Sequence, residues 1–408
     1  MKFILTILTT LILASVTNAN IIEVCPTCPV KSIKQAIQLS RPCDTVLVKV
    51  GFYSEGRIFI DKGLTLLGEN WPILDGKNKT EVFTVTADFV TIQGFQIQNV
   101  GTSYTEDRAG IRVKESRYFS IRNNRLLDAF FAIYLQKSKE GVVEGNVVEG
   151  HAKDQVSSGN AIHLWHCENV QILGNKVSGY RDGIYLEFAK NSLIAENRSE
   201  GNIRYGLHFM FSDGNTYRHN IFRKNGSGVA VMYSHRIHMV ENTFEHSWGA
   251  AAYGLLLKEI HDSHIEGNLF QNNTVGIFTE TSNRVTYTKN QFLQNGWAMR
   301  ISGGCQQNTV TQNNFQSNSF DLAVQVSGKD NSFDGNFWSD YTGYDLDRDG
   351  IGDVPYRPMK LFSYVVSKTP EAMVLLRSLF VDILNFSEKV SPIFTPENVV
   401  DNQPLMKC

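Results

Sequence analysis

The sequence predicts an all-β fold, a right-handed parallel β-helix with about 22 residues in each coil. The first observation is an asparagine that recurs shortly before an apolar residue. The second is a small residue that opens an apolar segment and recurs at nearly the same intervals. The third is a composition of 32 glycines and only 10 prolines, which favours many tight turns between short strands.

The repeat is visible in two independent series of residues. The asparagine series comprises Asn124, Asn146, Asn175, Asn197, Asn220, Asn242, Asn268, Asn290, Asn313 and Asn336. The small-residue series comprises Gly110, Ala132, Ala161, Gly183, Gly206, Gly228, Gly254, Gly276 and Ala298. Both series lengthen at the same two places, so whole units repeat, and stacked units bury a continuous core that one unit cannot bury alone. We expect the asparagines to stack in the bends and to bond backbone amides of neighbouring coils.

Residues 1–19 are predicted to be a cleaved signal peptide. Met1 and Lys2 precede an apolar run over 3–16, and the small residues at 17 and 19 suit cleavage after Ala19. The run is too short for a membrane span. The mature chain is therefore expected outside the cytoplasm, where its six cysteines fit an oxidising compartment.

Residues 20–63 are predicted to form an N-terminal cap. The segment 32–40 has the pattern of an amphipathic helix, which would cover the open edge of the first coil. The CxxC sequence formed by Cys25 and Cys28 indicates a disulfide, with Cys43 as the partner of one of the two. A metal or redox role for this motif is the alternative.

Residues 64–338 are predicted to form the β-helix. Strand alternation sends the first and third residues after each small residue inward and the second and fourth outward. The middle of the outward face collects Tyr, His, Trp and Met, which are typical of interfaces and soft-metal sites. The candidate copper ligands are His208, Met210 and Met232, with His163 and Glu187 on flanking coils.

Two alternatives to this copper site stay open. The outward residues also fit an apolar stripe that a loop or a partner covers without any metal. His238 and His264, one coil apart on a neighbouring outward ladder, are a second candidate pair, although such a pair can simply stack.

Residues 339–360 are predicted to form an Asp-rich loop. Asp345, Asp347 and Asp349 alternate before a glycine as in the first half of a calcium-binding loop, and Asp353 follows. Position 12 of such a loop would be Tyr356 where an EF-hand has a bidentate Glu. The sequence fits a calcium-stabilised loop and a metal-free turn equally well.

Residues 361–408 are predicted to form a helix and a tail. Thr369 followed by Pro370 is typical of a helix start. The helix is expected either to pack on the last coil or to dock another protein. The balance of 39 Lys and Arg against 41 Asp and Glu lacks the basic excess of a nucleic-acid-binding protein, so no nucleic acid is expected as a partner.

Several motifs resemble one family. They are Ser32-Ile-x-x-Ala-Ile, Asp44-Thr-Val-x-Val, Gly206-Leu-His-Phe-Met-Phe-Ser, Gly228-Val-Ala-Val-Met-Tyr-Ser, Phe337-Trp-Ser-Asp-Tyr and the Asp-rich run that ends at Tyr356. Together with the repeat, they resemble the periplasmic nitrous-oxide reductase maturation proteins of the copper-processing, ABC-transporter-associated type. The resemblance implies a non-enzymatic periplasmic accessory protein. It would work with the membrane subunit of an ABC transporter, take copper transiently from a small periplasmic lipoprotein chaperone, and help assemble the copper–sulfur centre of nitrous-oxide reductase.

A secreted polysaccharide lyase or epimerase is the alternative function, because the same fold carries such enzymes. Those enzymes would need a groove with clustered Lys, Arg and Asp. The outward face offers Arg112 and Lys114 at one end only, while His and Met dominate its centre.

Overall fold

The chain winds into a right-handed parallel β-helix in a computed structural model that describes residues 19–103, 105–156, 158–324, 330–390 and 399–407. The predicted signal peptide lies outside these residues except for Ala19. The strands form three parallel faces, which we name the front, side and back sheets. The front and side sheets are joined through Tyr253–Glu266 into one 24-stranded sheet, and the back sheet has 13 strands. The sequence prediction of the fold is confirmed.

The three sheets are defined by their strands. The front sheet contains Ile58–Ile60, Phe83–Val85, Ala109–Lys114, Phe131–Gln136, Asn160–Trp165, Asp182–Glu187, Tyr205–Met210, Ser227–His235, Tyr253–Glu266, Val275–Glu280, Trp297–Ser302 and Phe320–Val324. The side sheet contains Ile21–Val24, Thr45–Val48, Thr65–Gly68, Thr91–Gln93, Ser120–Arg122, Val142–Glu144, Gln171–Leu173, Leu193–Ala195, Thr216–Arg218, His238–Val240, the end of Tyr253–Glu266, Asn283–Thr288 and Thr309–Thr311. The back sheet contains Phe52–Tyr53, Ile73–Asp75, Gln96–Gln98, Arg125–Leu127, Val147–Glu149, Lys176–Ser178, Arg198–Glu200, Ile221–Arg223, Thr243–Glu245, Leu269–Gln271, Gln291–Leu293, Asn314–Gln316 and Phe337–Trp338.

The β-helix begins before the predicted boundary at residue 64. Ile21–Val24 pairs in parallel with Thr45–Val48, which pairs with Thr65–Gly68. The predicted cap at 20–63 therefore contains the first coils, because its short strands already alternate buried and exposed residues. The capping helix, α1 (Ile33–Leu39), buries its apolar face there, and Ser32 caps its first turn.

The cysteine pairing differs from the expected one. Cys25 bonds to Cys28, and Cys43 is a free, exposed thiol. The expected bridge to Cys43 is wrong because parallel pairing places Thr45 opposite Ile21. Cys43 therefore lies near the start of the strand pair, whereas Cys25 follows its other end.

Ladders of similar apolar residues stabilise the core. The inward residues of each coil are buried as predicted, and aromatic rings stack along the back sheet. Ring centroids from Phe244 to Phe270, Phe292, Phe315 and Trp338 are separated by 4.6, 5.1, 4.8 and 4.2 Å. Such offset stacking adds to the free energy gained by burying the rings.

The asparagine series forms a continuous buried ladder. Nδ2 of Asn197 donates to Oδ1 of Asn220 at 3.0 Å and to the carbonyl of Ile172 at 2.8 Å. The Asn197 backbone amide donates to the same Oδ1 atom. The same pattern recurs from Asn124 to Asn336, so the predicted stacking with backbone bonds is confirmed.

The C-terminal tail closes this ladder. The carboxylate of Asp401, which is fully buried, accepts the backbone amides of Gly335 and Asn336 and the indole N–H of Trp338 at 2.8 to 2.9 Å. Leu405 pairs with Phe337 and Ile351. These contacts satisfy the amides that would otherwise be orphaned at the last coil.

Helices cover the outer face of the front sheet at its last coils. They are α2 (Leu361–Lys368), a 3₁₀ turn (Pro370–Leu375) and α3 (Leu379–Val390). The helix predicted to start at Thr369 is therefore a short 3₁₀ turn between two α-helices. Phe362, Val366 and Val381 pack against the outward side chains of the last coils, including Trp297 and Phe320. Among the described residues, no helix has the length and apolarity needed to cross a membrane.

Candidate metal centre

The predicted copper ligands lie on the outer face of the front sheet, on coils that precede those covered by the helices. Met210 and Met232 are direct partners in neighbouring coils, and Glu187 pairs with Met210 on the other side. His208 is two residues before Met210 on the same strand and therefore faces the same side. The register that the repeat predicted places these side chains together.

The two predicted histidines belong to a packed column, which we name the aromatic–histidine column. It consists of Tyr134, His163, Tyr185 and His208, with successive ring centroids 4.6, 4.7 and 5.0 Å apart. His208 is only 5% exposed. The column is thus more deeply buried than the outward ladder expected from strand alternation, because each ring is covered by its neighbours on adjacent coils.

A buried ionic cluster orients His208. Asp182 is fully buried and accepts from Nε of Arg204 at 2.8 Å and from its Nη2. Nδ1 of His208 lies 3.2 Å from Nη2 of Arg204 and 3.9 Å from Asp182. Burial raises the pKa of Asp182, but hydrogen bonds from His208 and Arg204 outweigh burial and lower it overall. Asp182 is therefore an anion beside the imidazole.

Both histidines have an unused ring nitrogen. Nε2 of His163 and Nε2 of His208 are buried and have no hydrogen-bond partner among the described residues. Burial, assisted by Arg181, lowers the pKa of His163 to about 3, so this imidazole is neutral at neutral pH. Arg204 can only donate, so its contact at 3.2 Å makes Nδ1 of His208 an acceptor and places the proton of the neutral imidazole on Nε2. A metal ion at Nε2 would require the other tautomer, in which Nδ1 donates to Asp182, now 3.9 Å away, as in carboxylate–histidine–metal arrangements.

A row of stacked rings, three of them exposed and one half-buried, borders the methionines, and we name it the aromatic ridge. It comprises His166, Phe188, Phe211 and Tyr233, whose successive ring centroids lie 4.6, 5.3 and 5.1 Å apart. All four residues have φ between 50° and 53°, a conformation that is unusual for bulky side chains. Phe188 and Phe211 are 37% and 40% exposed. The ridge therefore presents stacked apolar rings to solvent beside Met210 and Met232.

Sequence reasoning missed the aromatic ridge and the ionic cluster. In each of four consecutive coils, the ridge residue is the fifth residue after the small residue that opens the strand. Extending the ladders by one position would therefore have found it. Asp182 occupies the position before the small residue of its strand, where the neighbouring coil has Asn160. A carboxylate in that otherwise packed column could have indicated a buried ionic cluster.

The Asp-rich loop brings three carboxylates together. Ligand atoms of Asp345, Asp347 and Asp349 all lie within 4.8 Å of one another. Asp345 accepts the backbone amides of Asp349 and Gly350, and Asp353 accepts the amide of Leu346. These bonds build the turn from the chain itself, and a calcium ion at Asp345, Asp347, Asp349 and Asp353 stays a prediction.

Known structures share the fold at low sequence identity. The A-module of the mannuronan C-5 epimerase AlgE6 from Azotobacter vinelandii is 12% identical, with a TM-score of 0.63 over 75% of this chain and 95% of the module. The Dettilon tailspike protein is 14% identical, with a TM-score of 0.58 over 71% of this chain and 64% of the tailspike. Both similarities concern the β-helix alone.

Sequence relatives identify the family. Residues 151–343, which contain the candidate site, match the family model described as periplasmic copper-binding protein (NosD). The protein named probable ABC transporter binding protein NosD from Pseudomonas aeruginosa is 30% identical, with 86% of each chain aligned. The protein of the same name from Stutzerimonas stutzeri is 26% identical over 86% of this chain and 85% of its own. The chain therefore belongs to the NosD family of periplasmic copper-binding proteins.

Proposed function

We propose that this protein is a periplasmic accessory factor that binds copper transiently during assembly of the copper–sulfur centre of nitrous-oxide reductase. In this role it works with an ABC transporter and receives copper from a lipoprotein chaperone. The observation that carries the proposal is the pairing of Met210 with Met232 beside the unused Nε2 of His208. The family description and the names of the relatives support the same role.

Copper(I) is the oxidation state that suits these ligands. Thioether sulfur is a soft ligand that selects Cu(I), and neutral imidazole adds a nitrogen ligand. Two thioethers and an imidazole lack the strong grip of a thiolate cluster, which suits a protein that must release its cargo. Glu187, on the coil before Met210, supplies negative charge next to the thioethers.

The aromatic ridge provides a docking surface for the chaperone. It lies next to the methionines, so a partner seated on Phe188, Phe211 and Tyr233 would hold its own copper close to Met210 and Met232. Exposed aromatic and Met side chains are typical of protein interfaces.

The C-terminal helices provide a separate surface for the transporter. Helix α3 buries Val381 against the front sheet but exposes Leu379 by 74%, Phe380 by 58% and Phe386 by 69%. An apolar helix face of this kind is typical of a protein-binding surface. We assign it to the membrane subunit of the transporter, away from the copper ligands.

A copper titration tests the proposal. Anaerobic titration of the mature chain with Cu(I), against a chromophoric competitor, is expected to reveal one site. Met210→Leu combined with Met232→Leu should weaken Cu(I) binding at least tenfold and leave the melting temperature nearly unchanged, because neither side chain belongs to the core. Met373→Leu, at an exposed methionine on the 3₁₀ turn, is the matched control.

The same variant tests the physiological role. Cells that carry the double Met substitution should produce nitrous-oxide reductase with a depleted copper–sulfur centre, whereas cells with the Met373→Leu protein should not. Unchanged copper affinity and unchanged reductase assembly would together contradict the proposal.

The alternative enzymatic function needs a substrate-accessible acid–base group. Tyr185, Asp182 and His208 have suitable chemistry, but His208 and Asp182 are buried under neighbouring rings and Arg204. Incubation with alginate and pectate distinguishes the two functions. Unsaturated or epimerised products at enzymatic turnover would favour the enzyme.

A further inference from the structure

Four of the ten histidines lie at one corner of the β-helix, which we name the histidine corner. His235 and His238 belong to one coil, and His261 and His264 belong to the next. The corner lies where the front sheet turns into the side sheet, and strand Tyr253–Glu266 runs through it. Nothing in the copper proposal uses these residues.

The pair formed by His235 and His261 has the spacing of a metal-binding pair. The two residues are direct partners in neighbouring coils, and their ring centroids lie 5.1 Å apart at a 44° tilt. Two imidazoles bound to one tetrahedral ion at usual metal–nitrogen distances have centroids about 5 Å apart. Rotation about the terminal side-chain torsion of His is soft, so the rings turn towards a shared ion at little cost.

The second pair is less well oriented for an ion. The rings of His238 and His264 lie 5.3 Å apart, but their planes are nearly parallel, with 21° between them. Because the two ring planes are nearly parallel, the nitrogen lone pairs of the two rings point in similar directions and do not converge on one ion. We therefore assign the ion to His235 and His261.

His261 has an unused ring nitrogen. Its Nδ1 atom is buried and has no hydrogen-bond partner among the described residues. A buried polar atom without a partner is unusual, and a metal ion would satisfy it.

The surrounding charges tolerate a cation. Arg284, whose charge acts on His261, is neutralised by both carboxylate oxygens of Asp262 at 2.6 and 3.0 Å. Asp213 precedes His235 in the same outward column, and one of its oxygens accepts the His235 backbone amide.

We propose that His235 and His261 bind one divalent transition-metal ion that prefers nitrogen ligands, such as Zn²⁺ or Cu²⁺, with water completing its coordination. The site differs from the Cu(I) site in its ligands. Met232, three residues before His235 on the same strand, belongs to the Cu(I) site, and Met239 on the same coil is buried in the core. Borderline divalent ions favour imidazole, whereas Cu(I) favours thioether sulfur.

Calorimetric titration of the whole mature chain with Zn²⁺ tests this site. His235→Gln combined with His261→Gln should weaken Zn²⁺ binding at least tenfold, because losing even an outer-shell partner of a metal ligand costs about 10–100-fold in affinity. His219→Gln combined with His246→Gln is the matched control, since both histidines lie beside carboxylates elsewhere. The Met210 and Met232 double variant should bind Zn²⁺ normally, which separates this site from the copper proposal.

The unmodified protein provides a second measurement that does not depend on folding of a variant. Zn²⁺ should protect His235 and His261 from carbethoxylation by diethyl pyrocarbonate, as mapped by mass spectrometry, and leave His219 reactive. Normal Zn²⁺ affinity in the His235 and His261 variant, loss of affinity only when His238 and His264 are replaced, or the absence of protection would each overturn the proposal.

Discussion

Asn220→Ala is expected to lower the free energy of unfolding by about 3 kcal/mol, because it orphans buried backbone groups that water cannot reach. Asn220 is fully buried. Its Oδ1 accepts the backbone amide of Asn197, and its Nδ2 donates to the carbonyl of Ile194 at 2.8 Å. It also links Asn197 to Asn242 within the ladder. The loss therefore affects three consecutive coils.

Urea unfolding followed by circular dichroism measures this effect. Gln171→Ala, which truncates an exposed side-chain amide on the side sheet, is the control and should change the free energy of unfolding by less than about 0.5 kcal/mol. An Asn220→Ala protein as stable as the control would mean that the asparagine ladder does not hold the coils together.

Asp182→Ala is expected to cost about 3–5 kcal/mol of folding free energy, because it leaves the partly buried guanidinium of Arg204 without its carboxylate. The variant should also weaken Cu(I) binding, since Asp182 orients the imidazole of His208. Thermal unfolding and the copper titration measure the two effects. Asp107→Ala removes an exposed carboxylate and should change neither.

The pH dependence of stability follows from the same carboxylate. The pKa of Asp182 is lowered in the folded protein, so its contribution is complete above the unfolded-state pKa near 4. The contribution is lost as the pH falls through the folded-state pKa. Asp182→Asn should therefore flatten the acid side of the stability profile, and an unchanged profile would contradict the assigned role of this residue.

The repeat made the fold and the registers predictable. Because the two residue series share their intervals, they place Met210 beside Met232 and Asn197 beside Asn220 without any structural information. Alternation also separates inward from outward residues correctly. These features depend on periodic sequence, which one chain displays many times over.

Features that occur once were not predictable in the same way. The burial of His208 depends on the rings of Tyr185 and Tyr205 around it, and no ladder taken singly shows that combination. The break between the C-terminal helices and their packing against Trp297 and Phe320 depend on tertiary contacts far apart in the sequence. Predicting the Cys25–Cys28 bridge would have required knowledge of the strand register, which separates Cys43 from both cysteines.

X-ray absorption spectroscopy of the Cu(I)-loaded protein identifies the atoms bound to copper. We expect copper–sulfur and copper–nitrogen scattering from two thioethers and one imidazole. The sulfur contribution should disappear in the Met210→Leu, Met232→Leu protein and persist in the Met373→Leu control. A bound Cu(I) ion with only nitrogen and oxygen neighbours, or a sulfur signal unaffected by the double substitution, would contradict the assignment of copper to the front sheet.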